Sequence, residues 1–237
     1  MNDTIVKDDQ LLKKIAAELA ISFKQVKSVI SLLDEGNTVP FIARYRKEMT
    51  GALDEVQIRN ILERWQYVQN LEQRKEEVIR IISEQGKLTD ELSASITKAE
   101  KLQEVEDLYR PYKQKRRTKA TVAKEKGLEP LAEWLLTFSK ESIEEKAKQF
   151  LSEEKKVLSA EDAISGAKDI IAERVSDDAE SRKWIRKETF KSGAVVSVVK
   201  DAEKDEKNVY EMYYEYEEPV NKIVPHRILA LNRGEKE

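Results

Sequence analysis

Ten residues near the middle of the chain, Arg110-Pro111-Tyr112-Lys113-Gln114-Lys115-Arg116-Arg117-Thr118-Lys119, hold six basic side chains and no acid. Clustered cations attract phosphate, because neutralising phosphates releases the counterions condensed around them. Tyr109 just before the run and Tyr112 within it offer ring faces on which unpaired bases can stack. A smaller basic set, Arg44, Arg46 and Lys47, lies in the segment Val39-Pro40-Phe41-Ile42-Ala43-Arg44-Tyr45-Arg46-Lys47-Glu48. The ten residues admit a second reading, a solvated loop whose arginines pair with acids of neighbouring helices. The stretch 201–218, with eight acids against Lys204 and Lys207, is one source of such partners. It repels nucleic acid, and beside a nucleic-acid path it would form the wall.

The inventory for catalysis is poor. His226 is the only histidine and there is no cysteine, so disulfides, cysteine-ligated zinc, iron–sulfur clusters and thiol chemistry are excluded. The seven glycines form neither GxGxxG nor a phosphate-cradling loop. Acid pairs such as Asp54 and Glu55 are numerous, but with 38% charged residues they belong on solvated faces. The expectation is therefore no catalytic residue, no metal, no cofactor and no small-molecule substrate. Net charge is −3, so nucleic-acid contact has to rest on local patches. The first residues lack the basic and apolar regions of a signal peptide. No apolar run approaches the roughly 20 residues of a membrane span, and a cytoplasmic location without membrane contact is expected.

The elements that must position these residues read as helices. Leu11, Leu12, Ile15 and Leu19 form a first apolar stripe; Val26, Val29, Ile30 and Leu33 form a second, opened by a capping box at Ser22 and Gln25. The tight Ala20-Ile21-Ser22 connection suits a helix-turn-helix or an ordinary helical hairpin. Pro40 fits a first helical position. Residues 54–85 predict one long helix with Ile58, Ile61, Leu62, Trp65, Val68, Val78, Ile79 and Ile82 on its stripe, ended by Gly86. Thr89, Ser142 and Ser159 cap later helices, and Pro111 stops another. Trp65 and Trp134 lie on apolar stripes and are expected in the core. At 194–216 valines and alternating tyrosines suit a short strand or an irregular segment. Continuation of the helical pattern is nonetheless the reading taken there. The fold expected is all-α: a helix-turn-helix-like region at 1–50, a helical scaffold at 51–192 built around the long helix, and a connecting segment at 193–237.

Three motifs carry a resemblance to a known family. They are Val39-Pro40-Phe41-Ile42-Ala43-Arg44-Tyr45-Arg46-Lys47-Glu48-Met49-Thr50-Gly51 with Leu53-Asp54-Glu55-Val56; Glu106-Asp107-Leu108-Tyr109-Arg110-Pro111-Tyr112-Lys113 with Lys115-Arg116-Arg117-Thr118-Lys119-Ala120; and Pro225-His226-Arg227-Ile228-Leu229-Ala230-Leu231-Asn232-Arg233-Gly234-Glu235. In this order and spacing they resemble the Tex family of transcription accessory proteins, over essentially the whole chain. The resemblance implies a helical amino-terminal region followed by a ribonuclease-H-like (YqgF-type) domain, helix-hairpin-helix repeats and an OB-fold RNA-binding domain. On that basis the chain is expected to be a fragment that stops before the YqgF-type domain. It also implies a non-catalytic scaffold associated with RNA or DNA, weakly in this fragment because the OB-fold lies elsewhere. The alternative is a protein-interaction module that contacts RNA polymerase or other Tex domains and touches no nucleic acid.

Overall fold

The computed structural model describes residues 2–236, with side-chain surroundings from residue 8 onward. The chain forms two compact units, one up to Tyr109 and one from Arg110. This division is drawn differently from the 1–50, 51–192 and 193–237 segments of the sequence. Among the described residues there are thirteen α-helices and one two-stranded sheet, which is the mostly helical fold expected.

The first unit contains α1 (Asn2–Leu19), α2 (Phe23–Asp34), α3 (Val39–Tyr45), α4 (Lys47–Thr50), α5 (Glu55–Glu84), α6 (Asp90–Lys98) and α7 (Leu102–Tyr109). The helical pair at the start is present. Ala20 turns the chain with φ of 54°, and the capping box at Ser22 and Gln25 is made from both sides. The α5 helix is 30 residues long, about 45 Å at 1.5 Å per residue. Asp54 and Gln57 form its capping box, and Gly86 follows it in the left-handed conformation with φ of 66°. Ile58, Ile61, Trp65 and Val68 of α5 join Leu12, Ile15, Val26, Val29 and Ile42 in one core. Farther along α5 the stripe continues through Leu71, Val78 and Ile82, with α6 and α7 packed beside it. Lys75 interrupts that stripe. Its stem is buried while Nζ donates to Glu72 Oε1 at 2.8 Å and to the Thr97 carbonyl at 3.0 Å, so the cation is satisfied.

The second unit opens with a 3-10 turn (Arg110–Tyr112). It continues through α8 (Lys119–Glu125), α9 (Glu129–Leu135), α10 (Ile143–Lys148), α11 (Ala160–Asp177) and α12 (Ala179–Ser192). Its core is built from small side chains, Ala120, Ala123, Ala132, Ala147, Ala163 and Ala167, closed by Leu128, Leu131, Val157 and Ile170. Small residues let α8 and α11 approach closely. A Cβ built on Gly166 of α11 would stand 2.4 Å from Leu128 Cδ1 and 3.3 Å from Ala123 Cβ, so any larger residue there would have to push Leu128 aside. Trp134 is half-buried against this core, with Lys146 Nζ 5.9 Å from its ring centre, rather than in the core as expected. Trp65 is in the core.

The helical reading of 194–216 is overturned. Gly193 ends α12, and Ala194–Val198 is a strand, β1, paired antiparallel with β2 (Glu215–Pro219). The β-branched run Val195, Val196, Val198 won over helical continuity once it had a partner strand, because a strand is stabilised by its cross-strand pairs; of the alternating tyrosines only Tyr216 lies in β2, while Glu211–Tyr213 forms a 3-10 turn. The last helix, α13 (Pro225–Gly234), has Pro225 in its first turn; it lies in what the sequence presented as a connecting segment. Among the described residues, none beyond Ile170 is buried.

Candidate nucleic-acid interface

The basic run begins in the 3-10 turn and crosses 113–118 as irregular chain to reach α8. Pro111 keeps the chain from continuing as helix, and Thr118 opens α8 by accepting from the Thr121 amide at 3.0 Å. Two acids of α11 hold the segment between. Arg110 Nε donates to Asp177 Oδ1 at 3.2 Å, and Lys115 Nζ pairs with the same Asp177 carboxylate and, at 3.4 Å, with Glu173 Oε1. Thr118 Oγ1 also donates to Glu173 Oε1 at 3.0 Å. Glu173 and Asp177 are four residues apart and therefore share one face of α11. They sit in its last turns, where the helix dipole already favours cations, so Arg110 and Lys115 act there as counterions.

The six cations thus divide. Arg110 and Lys115 are engaged on α11, and Arg117 Nη2 donates to Glu125 Oε2 at 2.6 Å, an exposed pair. Lys113, Arg116 and Lys119 are exposed and meet no carboxylate among the described residues. The acids of 201–218 supply none of the partners. Asp205 instead organises its own loop, accepting from the amides of Val209 and Tyr210 at 2.9 and 2.7 Å and from the Tyr214 hydroxyl at 3.1 Å. Burial acts to raise the Asp205 carboxyl, but these three donors together hold it below the ordinary range. Glu218 accepts from Arg227 Nη1 at 2.6 Å and from the Tyr216 hydroxyl.

Tyr109 does not offer a stacking face. It is buried in the first unit, and the Arg74 guanidinium lies 5.2 Å from its ring centre, held by Glu106 and Glu77 at 2.5 and 2.6 Å. The hydrogen bond that Arg74 donates to Glu106 raises the Arg74 pKa further. Tyr112 is half-buried.

Arg44, Arg46 and Lys47 belong to the first unit. Arg44 and Lys47 are exposed. Arg46 folds back, its guanidinium 5.1 Å from the Phe41 ring centre and its Nη1 donating to the Tyr45 carbonyl at 3.1 Å. Ile42 is fully buried, while Phe41 and Tyr45 are exposed with ring centres 5.2 Å apart. The acids Glu173 and Asp177 were missed as partners of the basic run. The signal for them is their spacing of four at the end of an amphipathic helix.

Two family models match the chain: the Tex-like protein N-terminal domain over residues 9–83 and the Tex central region-like domain over residues 139–237. The Bacillus subtilis protein YdcI is 66% identical over 229 residues, 96% of this chain and 32% of that protein. The transcriptional accessory protein Tex of Neisseria gonorrhoeae is 42% identical over 223 residues, 94% of this chain and 29% of its own length. The human S1 RNA-binding domain-containing protein 1 is 30% identical over 217 residues, 88% of this chain and 21% of its own. The chain spans about a third of the length of the curated bacterial relatives it matches.

Proposed function

The chain belongs to the Tex family, and on that premise we propose that it is a non-catalytic helical scaffold of a transcription accessory protein, meeting nucleic acid through its basic loop. One observation carries the reading: Asp177 takes up Arg110 at the start of the loop and Lys115 in its middle, and leaves Lys113, Arg116 and Lys119 directed at solvent. A pinned loop presents cations with less ordering cost than a free one. The contacts would be to phosphate, tolerant of sequence and common to RNA and DNA. A relative that carries S1 RNA-binding in its name supports association with RNA. We take the cytoplasm as the place of such an accessory role. No described helix is long and apolar enough to cross a membrane.

Binding of this chain to single-stranded RNA and DNA, titrated with salt, tests the proposal. Affinity that falls with salt and weakens when Arg116 is removed supports it. Affinity indifferent to Lys113, Arg116 and Lys119 refutes it.

A second reading has its own observation. Phe41 and Tyr45 stand 37% and 61% exposed with ring centres 5.2 Å apart, an aromatic pair suited to a protein partner such as RNA polymerase. Loss of polymerase retention on replacing Tyr45 by Ala, with nucleic-acid affinity unchanged, would favour it.

A further inference from the structure

The α12 helix, Ala179–Ser192, runs for 14 residues, about 21 Å, without burying one side chain. It nonetheless carries three large apolar residues, Trp184, Ile185 and Phe190, which are 64%, 51% and 61% exposed. After Glu180 in the first turn, five cations, Arg182, Lys183, Arg186, Lys187 and Lys191, face one acid, Glu188. Arg182 folds back onto the preceding helix, its Nη1 donating to the Ser176 carbonyl at 3.2 Å. Lys183, Lys187 and Lys191 are exposed and pair with no carboxylate among the described residues. Their spacing of four sets them one turn apart, about 6 Å along the axis. At about 100° per residue, Phe190, the three lysines and Trp184 follow one another around a third of the helix, with Glu180 the one acid inside that arc.

Cations and rings mixed on one face select the partner. A bilayer takes a helix whose apolar residues share one side and whose charges share the other. Trp184, Ile185 and Phe190 instead stand about 100–140° apart around the axis. A second copy would bring lysines against lysines. An anionic polymer with flat faces satisfies both residue types, since phosphates meet the lysines and bases stack on the rings. Rings reach only unpaired bases, which favours a single strand over a duplex. An open depression on the same helix has this dual character, being lined by Ile185, Arg186, Lys187, Thr189, Phe190 and Val220. The helix also starts beside the basic loop. Asp177 engages Arg110 and Lys115, and the next residue, Asp178, caps α12 by accepting from the Ser181 amide at 2.7 Å.

We propose that the face of α12 bearing Lys183, Lys187 and Lys191 is a second binding surface, which takes single-stranded nucleic acid with Trp184 and Phe190 as stacking platforms. Phosphates lie along the lysines, and the rings hold the bases between them. This deepens the nucleic-acid reading of the chain and rests on it, but not on the residues of the basic loop.

Fluorescence anisotropy of labelled oligo(dT) titrated with this chain tests it, beside a duplex of the same length and vesicles of phosphatidylserine. Trp184→Ala is expected to weaken the single strand by about fivefold or more, as loss of one stacked base does, with an unchanged melting temperature. Trp184→Phe keeps a ring and is expected to retain most of the affinity. Lys187→Ala is expected to reduce the salt slope by about 0.7. Unchanged affinity for oligo(dT) in Trp184→Ala overturns the proposal, as does a duplex bound as tightly as the single strand, or vesicles bound in its place. Arg116→Ala separates the two surfaces. Loss there with Trp184→Ala unaltered leaves the loop reading and overturns this one, and loss in Trp184→Ala with Arg116→Ala unaltered does the reverse. No binding of oligo(dT) at all overturns both.

Discussion

Arg110 Nε donates to Asp177 Oδ1 at 3.2 Å across 67 residues of sequence. This bond joins the first residue of the basic run to the last residue of α11, and Lys115 converges on the same carboxylate. The loop is therefore organised by an acid that engages two of its six cations. Asp177→Asn removes that anchor. Trypsin cleavage after Lys113, Lys115 and Arg116 is expected to accelerate, with a stability loss of only about 1 kcal/mol because the partners are partly solvated. An unchanged cleavage pattern would show that the loop is held by Thr118 and the 3-10 turn alone.

Arg116 and Arg117 adjoin in sequence and differ in partner, which separates charge from structure. Arg116→Ala is expected to leave the melting temperature unchanged and to reduce the salt slope of nucleic-acid binding by about 0.7–0.9. Lys113→Ala and Lys119→Ala should act alike, and equally on all sequences. Arg117→Ala should have a smaller effect on binding, since Glu125 already screens that guanidinium at 2.6 Å. Equal loss from both arginines would show that the Glu125 pair opens on binding.

The two core-stripe tryptophans should part company in denaturant melts. Trp65, in the core of the first unit, is expected to cost about 3–5 kcal/mol when replaced by alanine. Trp134 is half-buried, so its replacement should cost clearly less. Equal losses would mean that the second unit closes more tightly over Trp134.

Gly166 sits in the middle of α11, where glycine is ordinarily worse than alanine by about 1 kcal/mol. Gly166→Ala is nonetheless expected to destabilise, by about 1–3 kcal/mol, because the new methyl meets Leu128 Cδ1 inside the second core. A gain in stability would show that Leu128 has room to turn away.

Glu18 links α1 to α5 through Arg64, accepting from Nε at 2.5 Å and Nη2 at 2.9 Å. The Arg64 hydrogen bonds hold its carboxyl below the ordinary glutamate range, although burial opposes them. A lowered folded-state pKa means that the unfolded chain takes up the proton first as pH falls. The contribution is thus complete above the ordinary glutamate pKa of about 4.3 and is lost as pH drops through the lowered value. Urea melts between pH 7 and pH 2 are expected to show a flatter acid limb for Glu18→Gln than for the unaltered chain. Parallel limbs would assign acid sensitivity to other carboxylates.

Much of the local architecture was legible in the sequence because its causes are local. The capping box at Ser22 and Gln25, the Thr89 and Ser159 caps, Gly86 after the long helix and Pro111 before the basic loop each act within a few residues, so spacing alone reveals them. The stripe of Ile58, Ile61, Trp65 and Val68 follows from helical periodicity in the same way. The three motifs were equally sufficient for the family. What the sequence did not determine depends on partners far along the chain. Tyr109 reads as a stacking face until Arg74 is seen covering it. Lys75 reads as a surface cation until the Thr97 carbonyl meets it. Residues 194–198 read as helix or strand until residues 215–219 are brought alongside, because a strand exists only through its neighbour. The candidate site divides on the same ground. Six cations in ten residues are visible in the sequence, but which of them are spent on Asp177, Glu173 and Glu125 and which remain for a phosphate is decided only when α11 and α8 pack, since charge is set by composition and its availability by distance.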